Sequence, residues 1–89
     1  MEFDTEQFVR DRDSAFTRAV VDDDWSAVYK YLNKYGMERP SSRKVLRAAI
    51  YKAVQHCTNI PQDVKDIAVT KCIELGFSPL IQMGGADNG

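Results

Sequence analysis

An all-α fold, a compact bundle of four helices arranged as two helical hairpins, is what the sequence predicts, with room for a short fifth turn near residues 79–83. Three observations predict it. Apolar residues recur at three- and four-residue spacing in four separate stretches, the period of a helix with one buried face. Glycine or proline punctuates those stretches at Gly36, Pro40, Pro61, Gly76 and Pro79, where helices end or begin. No run alternates apolar and polar residues long enough to form a strand.

Helix 1 is expected from about Thr5 to Val20. Asp4 is a suitable N-cap, and Gln7 stands where the returning half of a capping box belongs. Phe8, Val9, Ala15, Phe16, Ala19 and Val20 share one arc of about 140° at 100° per residue, and Arg12 falls inside it. Asp22-Asp23-Asp24 then suits the positive end of a following helix. Helix 2 is expected from about Trp25 to Tyr35, with Trp25, Val28, Tyr29, Leu32 and Tyr35 on one face. Gly36 supplies a left-handed C-terminal residue, with Met37 placed for the apolar contact of such a cap.

Ser41 or Ser42 is the expected N-cap of helix 3, which covers about Arg43 to Cys57. Its apolar set is Val45, Leu46, Ala49, Ile50, Ala53, Val54 and Cys57. Proline pushes the preceding residue out of the helical region, so Ile60 is expected extended and Pro61 in the first turn of helix 4. Helix 4 runs to about Leu75 with Val64, Ala68, Val69, Cys72, Ile73 and Leu75 inside. Ile67 widens its apolar side, so it is expected to be the most buried helix. Gly76 and Phe77 repeat the glycine-plus-apolar ending of helix 2.

The chain's 89 residues, 44% apolar and 28% charged, make one globular domain over residues 1–83, followed by a disordered glycine-rich tail at 84–89. No apolar run approaches the roughly 20 residues of a membrane helix. The N-terminal MEFDTEQF lacks the basic and apolar regions of a secretory signal, so a cytoplasmic protein with reduced cysteines is expected.

The stretch HCTNIPQDVKDIAVTKC holds the chain's one histidine and both cysteines. His56 and Cys57 point about 100° apart on a helix, and Cys72 lies roughly 16 Å along the next one from its start. A disulfide needs its Cα atoms within about 7 Å, and zinc needs four ligands at short spacings. Both cysteines therefore read as small core hydrophobes, and His56 as a helix-end residue. No phosphate loop, nucleophile motif or calcium loop occurs. A non-catalytic protein without a metal or cofactor is expected.

Charge is unevenly spread. Residues 1–24 hold eight acids and three bases, net −5; residues 25–56 hold seven bases and one acid, net +6; residues 57–89 hold four acids and two bases, net −2. Arg39, Arg43, Lys44, Arg47 and Lys52 cluster around the start of helix 3, the last four outside its apolar arc. They form a solvated face neutralised by the acids of helix 1, a surface for an acidic protein, or a site for nucleic acid. A link of six residues before helix 3 and the acids of helix 4 weigh against a DNA-reading helix-turn-helix. Tyr31 and Tyr51 lie at the edge of their apolar arcs and extend the candidate partner surface. Arg12, Leu80, Ile81 and Met83 are the candidate contacts of a homodimer.

VYKYLNKYG followed by RPSSRKVLRAAIYKAVQHCTNIPQDVKDIAVTKCIELGFSP resembles small uncharacterised helical proteins carried by phages and other mobile elements of low-GC Gram-positive bacteria. The resemblance spans about residues 3–80, implies no activity and transfers no functional residue. The expected function is binding another protein as an accessory or regulatory factor. A nucleic-acid-associated factor using Arg39, Arg43, Lys44 and Arg47 is the alternative.

Overall fold

A computed structural model describes residues 4–77 and has, among them, four helices and no strand. They are α1 (Thr5–Asp22), α2 (Trp25–Lys34), α3 (Arg43–Val54) and α4 (Gln62–Glu74). The predicted all-α four-helix bundle is what forms. The fifth turn near 79–83, Leu80, Ile81, Met83 and the tail lie outside the described residues.

Asp4 caps α1, its Oδ1 accepting the Gln7 N–H at 3.1 Å. The Gln7 amide does not turn back to complete a capping box; it runs forward and donates to Asp11 Oδ1 at 2.8 Å. The three aspartates divide between two helix ends instead of opening one. Asp22 closes α1, Asp23 is left-handed at φ 56 and ψ 31, and Asp24 precedes α2. Trp25 Nε1 donates to Asp23 Oδ1 at 2.8 Å, and Ser26 Oγ to Asp24 Oδ1 at 2.6 Å. Short polar side chains tolerate the left-handed region best, so this sequence turns the chain within two residues.

α2 and α4 both end as expected on glycine. Met37 N–H donates to the Leu32 carbonyl and Gly36 N–H to that of Asn33; Phe77 and Gly76 repeat the pattern on Cys72 and Ile73. Each pair of bonds is a Schellman motif, which satisfies carbonyls the helix leaves open. Phe77 packs on the core while Met37 stays 41% exposed, so only the second cap gains its apolar contact.

Ser42 Oγ caps α3 by accepting the Val45 N–H at 3.3 Å. The helix stops at Val54, before the expected Cys57, and tightens through bonds from Gln55, His56 and Cys57 to carbonyls three residues back. Pro61 is extended at φ −60 and ψ 153 and stands just before α4 rather than in its first turn.

α1 is the central element. It lies against α2, α3 and α4; α3 packs on α4, and α2 approaches α3 only through side chains. Phe77 returns to Lys44 at the start of α3, so α3 and α4 run antiparallel. Val20, Val28, Val54 and Cys72, one from each helix, are the largest fully buried side chains. Phe8, Phe16, Tyr31 and Tyr35 form an aromatic layer between α1 and α2, with ring centroids 4.8–5.7 Å apart. Lys71 of α4 donates its ammonium to the Val20 carbonyl at 2.5 Å, closing the C-terminal end of α1 with a cation where the helix dipole is negative.

α3 turns a different face inward from the one expected, and α4 buries only part of its expected face. On α3, Val45 and Ala49 are exposed while Ala48 and Tyr51 are buried. On α4 only Val64, Ala68 and Cys72 are buried, with Ile67 and Ile73 38% and 56% exposed. Rather than being the most buried helix, α4 buries a single stripe, and among the described residues only α1 and α3 flank it.

Candidate functional site

Tyr31 and Tyr51 do not belong to an outer surface. Both are buried, at 6% and 4% exposure, and burial raises both phenol pKa values above their ordinary range. Tyr31 is stacked among Phe8, Phe16 and Tyr35, and Tyr51 meets Trp25 edge to face at 5.6 Å. An aromatic ring at the edge of an apolar arc reaches into the core when its helix has a neighbour on that side.

The basic residues separate into three places. Lys52 sits in the last turn of α3, about 140° round the helix from Arg47, where a cation meets the negative end of the dipole. Lys44 lies over the Phe77 ring at 5.8 Å, on the α4 side. Arg39, Arg43 and Arg47 come together along the seam between α2 and α3. Arg39 and Arg43 share an open recess with Tyr29, Pro40 and Ser41. The Arg39 guanidinium carbon lies 4.8 Å from the centre of the Tyr29 ring, and that of Arg47 lies 5.2 Å from the centre of the Trp25 ring. Arg47 therefore faces α2 within the inward arc of α3, not outside it.

Trp25 and Tyr29 are the residues that sequence reasoning placed only in the core face of α2. They stand one helical turn apart and seat Arg47 and Arg39, which lie eight residues apart with Arg39 in the connection before α3. No fixed spacing announces the match, because Arg39 lies in the connection before α3 and Arg47 within the helix.

None of these cations is neutralised by α1. Among the described residues, the ion pairs are Glu6–Arg10 at 3.9 Å, Asp13–Arg12 at 3.0 Å and Asp11–Lys34 at 2.7 Å. All involve acids of α1, and none involves Arg39, Arg43, Lys44, Arg47 or Lys52. The expected neutralisation of the basic segment by helix 1 is thus replaced by pairing of α1 with itself and with α2. Arg12, a candidate dimer contact, bonds Asp13 through both Nε and a terminal nitrogen within the same chain.

Asp11 is the densest polar centre. Its carboxylate accepts from Lys34 Nζ, from the Tyr35 hydroxyl at 2.6 Å and from Gln7 Nε2. These hydrogen bonds, the one from Lys34 foremost, lower its pKa from 3.8 to about 2. The same contact raises that of Lys34. The group ties α1 to α2.

Cys57 and Cys72 are buried thiols. Burial raises the Cys57 thiol pKa, the opposite of what a reactive thiolate needs, and its Sγ approaches the Ala53 carbonyl at 3.4 Å. Among the described residues no three His, Cys, Asp or Glu side chains converge as metal ligands do, and no helix is long and apolar enough to cross a membrane. Comparison of the chain with protein families, with curated proteins and with solved structures finds no significant match.

Proposed function

We propose that this chain is a small non-catalytic binding protein, an accessory or regulatory factor, that docks an acidic protein through the seam between α2 and α3. One observation carries the reading. Arg39, Arg43 and Arg47 occupy one surface with no carboxylate within 4.0 Å among the described residues, although the chain as a whole is acidic. A fold with acids to spare that leaves three neighbouring guanidinium groups unpaired keeps them for another molecule. Such a role would suit a protein like the small phage and mobile-element proteins that the sequence resembles.

Phosphate is the rival ligand for arginine, and nucleic acid the rival partner. The N-terminus of α3 counts against it, since Ser42 already satisfies the Val45 N–H that an incoming phosphate would use. The exposed Asp63 and Asp66 of α4 and the net charge of −1 add repulsion. The test is a calorimetric titration with a glutamate-rich peptide beside a mobility-shift titration with nonspecific duplex DNA, both at low salt. Peptide binding that disappears in Arg39→Glu/Arg43→Glu, with no duplex shift, is expected. Absence of peptide binding, or tighter binding of duplex than of peptide, overturns the proposal.

A further inference from the structure

Resting on that reading, we infer that Arg39 and Arg47 act as a pair of ring-seated forks, each taking a carboxylate of an acidic segment of the partner protein. A guanidinium is planar and presents its N–H groups at its edge, where a carboxylate meets two of them at once. Pressed on an aromatic face it loses freedom before any ligand arrives, so less ordering remains for the bound state. Tyr29 and Trp25 hold one fork each. Tyr29 and Trp25 share one face of α2, so the two forks are presented on one side of the seam. The ligand is then an acidic segment whose carboxylates are read by the planar geometry of each fork as well as by charge.

Lysine separates geometry from charge, because an ammonium keeps the charge and lacks the planar fork. Affinity is read as fluorescence anisotropy of a dye-labelled peptide of alternating Glu and Gly. Circular dichroism checks that every variant remains folded. Arg39→Lys/Arg47→Lys is expected to weaken binding about tenfold or more, and Lys52→Glu, away from the seam, to change it less than about twofold. Tyr29→Leu alters no charge and is expected to weaken binding by removing the seat of Arg39. Wild-type affinity in both the lysine double variant and Tyr29→Leu overturns the paired forks. The acidic-partner reading survives that result if Arg39→Glu/Arg47→Glu still abolishes binding. A wild-type protein that ignores the peptide altogether removes the acidic-partner reading and the forks with it.

Discussion

Asp11 links the first two helices through one carboxylate, and its titration gives that link a pH dependence. The folded-state pKa of about 2 lies below the ordinary 3.8, so the group contributes stability that is fully present above the higher value. The contribution is lost as pH falls from about 3.8 toward 2. Thermal melts between neutral pH and pH 2 should show a steeper acid decline for the wild type than for Asp11→Asn, which lacks that titration. Asp23 is the second residue with an outsized part. Its φ of 56 and its bond to Trp25 Nε1 are both lost in Asp23→Val, which should cost about 1–3 kcal/mol in urea denaturation. Asp23→Gly restores the backbone freedom and forfeits only the indole bond, so it should cost less.

At the level of elements, the paired glycine caps permit a clean comparison. A Cβ at Gly36 or Gly76 meets nothing within 4 Å, and their φ values are +63 and +89. Alanine at either position should therefore cost about 1–2 kcal/mol from backbone conformation alone. The inward face of α1 and the outward face of α4 give the opposite contrast. Phe16→Ala removes a ring from the aromatic layer and should cost about 3–5 kcal/mol, whereas Ile73→Ser on exposed surface should stay within about 0.5 kcal/mol. Helix positions, the caps at Asp4 and Ser42 and both glycine endings were legible in the sequence, because they depend on a few neighbouring residues. The inward face of α3 was not. Periodicity fixes angles between residues of one helix, but the neighbours decide which angle faces in, and α3 turns toward Trp25 and Phe77 from two sides. Arg47 was misread for that reason: a charged residue looked solvent-facing until α2 supplied a ring for it. Tyr31 and Tyr51 were misread because a ring with a polar tip serves equally well at a surface or in a core.

Across the described residues, charge is matched unevenly. Acids of α1 pair within α1 and with Lys34 of α2, while the arginines of the seam have no carboxylate partner. Removing one of those unpaired charges should be harmless to the fold while costing affinity: Arg43→Gln should leave stability unchanged within about 0.5 kcal/mol, and should weaken binding of the acidic peptide. Thermal melts and anisotropy on the same sample check both halves. The seam itself is held by side chains, since α2 and α3 have no close backbone approach, and Trp25 stands at its centre between Arg47 and Tyr51. That residue is the chain's one tryptophan. All indole emission therefore comes from the ring on which Arg47 rests, and a carboxylate that neutralises the guanidinium seated there alters the light this protein gives off without any dye attached.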